Sequence, residues 1–338
     1  MITTRYYYQS LNQRDKKIYN AIYDGIMTYK PYVEIPDSKL SENAVGWIYH
    51  CILWDNPFIF SVGEYAMWHA VSNDRTRIKM TTLCDTGSEK AYRKQIEDVV
   101  NQILSAPGLS KMTDFQKEVF VHDFIINNVK YDETLGNNGT KIEPYTVYGA
   151  LVEHKAVCEG IAKSVKLLLN MLDVKCIVVS GKYDGHGHAW NIVKLDDWEY
   201  NLDVTMDMGR VIHKGMMRYN FFNFRDSDID CYKPDNAHTI PGCTAIGNNY
   251  MVKAGGYVSS YERLKKYIEK GLSKRKPCLY FKINRNVDDE FTHLSFKEFQ
   301  SVINKAYIET VHRLQIDTER FIDTTGPGEI VNVEIKYL

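Results

Sequence analysis

The sequence predicts an α+β fold in which a helix carrying a cysteine packs on an antiparallel sheet carrying a histidine and an aspartate. Three observations predict it. Residues 159–172 hold Ile161, Val165, Leu168, Leu169 and Leu172 at helical spacing, with Lys163 and Lys166 off that stripe. Cys158 stands where this helix begins. Three runs rich in β-branched and aromatic residues then follow, Cys176–Tyr183, His188–Leu195 and Trp198–Met206, with Asp196-Asp197 as a two-residue turn between the last two.

Upstream, the chain reads as mainly helical. Asp15–Met27 puts Ile18, Ile22 and Ile26 on one face and stops before Pro31, and a second helix runs from Ser41 toward Trp54. Tyr65–Leu83 alternates and reads as one or two strands. Glu89–Leu104 and Asp114–Val129 are two amphipathic helices, with Ser88 and the Thr113/Gln116 pair as their capping signals. Downstream lie a helix at Ser260–Lys270, a strand at Cys278–Ile283, a helix at Ser295–Thr310 and a strand at Ile330–Tyr337. The expected organisation is a helical region over 1–110, a core over 111–235 and a C-terminal α/β extension over 236–338, separate or packed into the same domain.

Composition narrows the function. A net charge of −1 leaves no basic field to attract phosphates, which argues against a nucleic-acid or anionic-membrane partner. Lys274–Arg275–Lys276 is a solvated loop on this reading. No run approaches the ~20 apolar residues of a membrane-spanning helix. The first residues lack the pattern of a secretory signal, so a native start at Met1 implies the cytoplasm, and a removed signal peptide would imply secretion or the cell surface. The sequon at Asn138-Gly139-Thr140 carries little weight beside this. Seven scattered cysteines, odd in number and without a C-x-x-C pair, argue against a disulfide framework or a four-cysteine zinc site.

One cysteine is placed for chemistry. At a helix N-terminus, unpaired backbone N–H groups and the positive dipole end favour a thiolate at Cys158 and an oxyanion formed one bond away. Gly160 keeps that turn open for a substrate backbone. With Leu195 opposite Trp198, paired positions sum to 393, so Asp203 faces Trp190 and shares a sheet face with His188. Asp203 therefore orients the imidazole in preference to Asp196 or Asp197, and the other ring nitrogen meets the thiol.

Four blocks carry a family resemblance: Tyr148-Gly-Ala-Leu151, Ala156-Val-Cys158-Glu-Gly160-Ile-Ala162, Gly187-His188-Ala-Trp190-Asn-Ile-Val193 and Tyr200-Asn-Leu-Asp203-Val-Thr205. Together, over roughly 115–210, they resemble the transglutaminase-like superfamily, and its bacterial members most. The resemblance implies a papain-like core with Cys158 as nucleophile, His188 as general base and then acid, and Asp203 as orienting residue, with no metal or organic cofactor. Two departures stand near the cleft. Family members continue from the aspartate as Val-Thr-Trp-Asp-Asp-Pro where this chain has Val204-Thr-Met206-Asp207, and His154-Lys155 stands where a glycine is common.

Beside these readings stand blander ones. Trp190 is expected as core or cleft wall, shielding the His–Asp bond from water. Tyr131, Tyr145 and Tyr148 precede the cysteine helix, and one of their phenols is the candidate second oxyanion donor; packing is the commoner role. His186 and His188, two apart on a strand, would supply zinc ligands with Cys158. Asp226, Asp228 and Asp230 resemble a calcium-loop start, but Cys231 and Ala237 occupy its required Gly and Glu positions, so an acidic solvated loop is expected. The function expected is a cysteine peptidase or amidase acting through a thioester on peptides or proteins, with transamidation close behind. An idle transglutaminase-like scaffold and a zinc-dependent hydrolase are the alternatives.

Overall fold

The computed structural model describes residues 5–37, 39–70, 75–82, 85–136, 142–208, 219–283, 291, 294–324 and 330–338. The sequon at Asn138-Gly139-Thr140, and Leu83 at the end of the alternating stretch, lie outside the described residues. The described chain begins with α1 (Tyr6–Ser10), α2 (Gln13–Met27) and β1 (Val33–Ile35). Then come α3 (Glu42–Asp55), capped by Ser41, and two antiparallel strands, β2 (Val62–Ala70) and β3 (Arg75–Thr82). The next helix, α4 (Thr86–Leu104), is capped by Asp85 rather than Ser88. Asp85 accepts from the Gly87 and Ser88 N–H groups and from the Ser88 hydroxyl. A carboxylate at a helix N-terminus also meets the positive dipole end, which a serine hydroxyl does only weakly. The capping box of Thr113 and Gln116 opens α5 (Asp114–Asn128).

The central stretch runs β4 (Lys130–Tyr131), α6 (Val147–Leu151), β5 (Lys155–Ala156), α7 (Cys158–Met171), β6 (Lys175–Tyr183), β7 (His186–Leu195) and β8 (Trp198–Leu202). After it come α8 (Val204–Met208), β9 (Phe222–Phe224), β10 (Tyr232–Pro234), α9 (Tyr250–Lys253) and β11 (Tyr257–Val258). The chain ends with α10 (Tyr261–Ser273), β12 (Cys278–Ile283), α11 (Phe296–Leu314), β13 (Thr318–Thr324) and β14 (Ile330–Tyr337). Three details differ from expectation. The β6–β7 turn is Asp184-Gly185, both at positive φ (48° and 81°), so β7 starts at His186 rather than His188. That is the backbone of a two-residue hairpin turn whose twist matches the strands. β8 stops at Leu202, and the chain turns into α8 where a longer strand was expected. β13, with little apolar content, owes its existence to pairing with β14 from Thr318↔Tyr337 to Thr324↔Val331.

The chain clusters into two compact units, Met1–Thr205 with Cys231–Cys243, and Met206–Asp230 with Thr244–Leu338. Their limits do not coincide with residues 110 and 235. In the first unit, β1-β3-β2 form one sheet, and β10-β6-β7-β8 form an antiparallel array on which α7 packs. Its main core joins Ile22, Ile48, Ile52 and Ile78 to Ala162, Val178 and Ala189. A smaller cluster gathers Ile177, Val179, Trp190, Ile192 and Cys243. Lys163 and Lys166, expected outside the apolar stripe, are buried because α7 is covered on its polar side as well. Lys163 pairs with Glu159 at 2.7 Å, and Lys166 Nζ donates to the Asp55 carbonyl at 2.9 Å. Burial pushes the Lys166 ammonium down to about 8, against the pull of Asp55.

In the second unit, β11-β12-β14-β13 form a sheet, and its core joins Leu264 and Ile268 of α10, Ile303 of α11, and Phe281, Val331 and Val333 of the strands. Asn249 Nδ2 donates to the Phe222 and Asn223 carbonyls, and Asn223 Nδ2 donates to the Asn248 carbonyl, satisfying buried backbone between β9 and α9. Among the described residues, no helix is long and apolar enough to cross a membrane.

Candidate active site

Cys158 is the first residue of α7, partly exposed, following an N-cap at Val157 that offers no side-chain cap. Local backbone pairing fixes this start. β4 and β5 run parallel, with Tyr131 beside Ala156, while the Val157 N–H donates to the Pro144 carbonyl at 3.0 Å. Asp132 anchors the same corner through Lys155 at 2.9 Å and Thr134. Hydrogen bonds from Thr134 and the Lys155 cation hold the Asp132 carboxyl down at about 2. His154, just upstream, adopts φ +58°, a region that favours the glycine whose place it takes.

The hairpin register places the other two groups. Leu195 pairs with Trp198 and Asn191 with Leu202, the expected sum of 393. Asp203 lies one residue beyond the end of β8, yet its Oδ2 sits 2.5 Å from His188 Nε2. The histidine side chain is 9% exposed and the aspartate 1%. The Cys158 sulfur lies close enough to act on the same imidazole. Burial pulls the imidazole down, but Asp203 and the Cys158 sulfur outweigh it and raise it to about 10. Trp190 lies parallel to the His188 ring at 6.2 Å and donates from Nε1 to Asn201 Oδ1 at 3.1 Å. Trp190 is buried in the small core cluster with Ile177 and Val179. The imidazole is thus hydrogen-bonded to a carboxylate with a thiol acting on it, a grouping able to polarise a sulfur for attack on a carbonyl.

Residues 105–202 match the family model described as the transglutaminase-like superfamily. Residues 105–202 form a transglutaminase-like core. A search of curated proteins returns no match. Among solved structures, one described as a TGase shares 17% identity, covering 55% of this chain and 52% of its own, with a TM-score of 0.30. A candidate cysteine protease from Cytophaga hutchinsonii shares 15% identity over 42% of this chain and 61% of its own, with a TM-score of 0.26. Menin, described with its binding site for the Mixed Lineage Leukemia protein, shares 15% identity over 68% of this chain and 43% of its own, also at 0.26. This chain thus spans about half the length of the TGase, at 52%.

The other site candidates of the transglutaminase-like core separate. Tyr148 stands apart from the sulfur: its hydroxyl donates to Gln95 at 3.3 Å and its ring packs on Tyr92 at 4.6 Å. Tyr131 and Tyr145 are half-exposed, at 43% and 38%. Burial, and then the charges of Cys158, Tyr145 and Asp203, raise the Tyr131 phenol, and its backbone pairs with Ala156, two residues before the cysteine. Gly160 does not keep room for a substrate. A Cβ there would lie 2.3 Å from the Pro144 carbonyl oxygen and 3.0 Å from that of Thr146, so the missing side chain lets α7 press against its own flanking backbone. A cleft of about 570 Å³, lined in part by Tyr49, Tyr65, Tyr145, Glu159 and Lys163, borders the first turns of α7.

Among the described residues, the zinc ligands proposed from sequence are not brought together. His186 is exposed at the turn end of β7 opposite Tyr183, while Nε2 of His188 is engaged by Asp203. Among the described residues, no three His, Cys, Asp or Glu side chains are grouped to hold a metal. The calcium-like loop is held instead by Arg225, whose guanidinium binds Asp228 at 2.7 Å. One residue of the site went unforeseen: Tyr232, whose hydroxyl donates to Asp203 Oδ2 at 2.7 Å. Nothing in the local sequence marks it, since β10 is three residues long and pairs with a strand some fifty residues upstream.

Proposed function

We propose that this chain is a thiol acyl-transfer enzyme acting on amide bonds of peptides or proteins. The observation that carries the reading is the buried His188–Asp203 hydrogen bond, with the partly exposed Cys158 at the head of α7 acting on the same imidazole. In the reaction, the Cys158 sulfur adds to the carbonyl carbon. The C–N bond breaks as His188 passes a proton to the departing amine, leaving a thioester on sulfur. An acceptor then gives its proton to His188, attacks the thioester carbonyl and displaces the sulfur. The developing oxyanion lies at the N-terminus of α7, where backbone N–H groups point outward, with the Tyr131 phenol as the second donor.

Hydrolysis is favoured over transamidation. Cys158 is partly exposed, and Tyr131, whose backbone pairs with Ala156, is half open to solvent, so water reaches a thioester formed there. Exclusion of water would favour an amine acceptor instead. The test is iodoacetamide labelling mapped by mass spectrometry, with casein cleavage and labelled-cadaverine incorporation assayed in parallel. Cys158 is expected to label faster than the other six cysteines, to slow in His188→Ala, and to lose all turnover in Cys158→Ala. Labelling of Cys158 no faster than the rest, without sensitivity to His188→Ala, refutes the enzyme reading and leaves an idle scaffold. Cadaverine incorporation outrunning cleavage would refute the preference for water.

A further inference from the structure

We infer that Tyr232 is a positioning residue that holds the Asp203 carboxylate in register with His188; the inference rests on the thiol-enzyme reading above. A single oxygen, Asp203 Oδ2, accepts both from His188 Nε2 at 2.5 Å and from the Tyr232 hydroxyl at 2.7 Å. Asp203 lies one residue past the end of β8. The terminal torsion of an aspartate is broad, so a second donor converging on one oxygen narrows where that oxygen sits, and so which way the imidazole faces.

Tyr232 is itself firmly placed. Its backbone pairs with Tyr183, and Tyr183 pairs in turn with His186, so by the alternation of side chains it shares a face with His188 and Trp190. Its ring meets Trp190 edge-on at 5.0 Å and Tyr183 at 4.9 Å. The segment that carries it has unusual connectivity. Cys231–Cys243 belongs to the first compact unit, although the chain on both sides of it belongs to the second. This short excursion is fastened by Asp235 to Ser180 at 3.0 Å and by the Thr239 carbonyl to the Tyr6 hydroxyl at 2.9 Å. It lies outside residues 105–202, as Asp203 does by one residue, so the matched stretch contains neither the carboxylate nor the phenol that bonds it.

The experiment compares wild type, Tyr232→Phe, Asp203→Asn and the double variant by the rate of iodoacetamide alkylation at Cys158 across pH, with melting curves alongside. Tyr232→Phe keeps the ring and removes one donor. It is expected to slow alkylation about tenfold, equivalent to about 1.4 kcal/mol, the scale of one hydrogen bond to a charged group. In the Asp203→Asn background the same change is expected to do nothing further, because the hydroxyl acts through the carboxylate. A wild-type rate in Tyr232→Phe, or equal slowing in both backgrounds, overturns the inference. So does loss in Tyr232→Ala with none in Tyr232→Phe, which would make the residue a packing contact only.

A second readout needs neither turnover nor a reactive thiol: the low-field proton NMR signal of the His188–Asp203 hydrogen bond. It is expected to shift resolvably in Tyr232→Phe, and an unmoved signal refutes the role. Should Tyr232→Phe fail to fold, fluorotyrosine incorporation, which acidifies the phenol without removing it, moves the same signal if Tyr232 acts as described. Ordinary reactivity of Cys158 in the wild type would remove the functional reading while this signal still decides the role of Tyr232.

Discussion

Replacing Gly160 by alanine tests how the cysteine helix is seated. In an exposed helix interior that change would stabilise by about 1 kcal/mol, because alanine is the better helix former. Here the added Cβ would meet the Pro144 carbonyl oxygen at 2.3 Å, the Thr146 carbonyl oxygen at 3.0 Å and the Ala156 Cβ at 3.2 Å. The first two are backbone atoms, which cannot rotate away as a flexible side chain would. Reaching an ordinary contact requires α7 to withdraw by roughly 1 Å, and overpacking of that kind costs about 1–3 kcal/mol. The net expectation is destabilisation of up to about 2 kcal/mol after the propensity gain is subtracted, in place of the stabilisation an open site would show. The displacement acts two residues from the sulfur, and misplacement of about 1 Å lowers reactivity by up to about 100-fold. Urea unfolding at pH 7 measures the first effect and Cys158 alkylation the second. A Gly160→Ala protein as stable as wild type, with an unchanged alkylation rate, would show that α7 is not held against residues 144–146 as described.

Further outcomes follow from the same geometry. The His188 imidazole is raised in the fold from 6.5 to about 10, so its contribution to stability is full below pH 6.5 and is lost as pH rises through about 10. Urea unfolding of wild type against His188→Gln is therefore expected to show a stability difference that is constant at low pH and shrinks between pH 6.5 and 10; a difference flat across that range contradicts the raised proton affinity. Tyr148→Phe loses only a bond to Gln95 near the surface and is expected to leave Cys158 alkylation unchanged, with stability lowered by about 1 kcal/mol or less. A marked fall in alkylation would return Tyr148 to the site. Tyr131→Phe, by contrast, is expected to leave alkylation near wild type, since no oxyanion forms there, yet to lower amide turnover by about 100-fold. Equal effects on both assays would remove it as an oxyanion donor.

Much of the arrangement follows from local pattern. The stripe from Ile161 to Leu172 and the position of Cys158 at its head are written in a helical period, and α7 begins there. The strands around His188 announce themselves by β-branched residues, and the turn at Asp196-Asp197 sets the pairing that brings Asp203 toward His188. Side-chain alternation is local, so parity along a hairpin is legible before any coordinates. The same holds for the Thr113/Gln116 capping box.

Other features depend on what lies opposite. Gly160 is required by carbonyls of residues 144 and 146, and Lys163 and Lys166 are buried because other elements cover the polar side of α7; neither neighbour is visible within the helix itself. The choice among Tyr131, Tyr145 and Tyr148 needed the parallel pairing of β4 with β5, a contact between segments some twenty-five residues apart. Tyr232 shows the limit best, for it reaches Asp203 only because a three-residue strand joins the far edge of the sheet. By itself the sequence determined the helix, the hairpin and the three groups they carry, because those rest on periodicity within one segment. Tertiary structure alone decided what seats the helix and what steadies the carboxylate, because those rest on surfaces that meet only after the chain has folded.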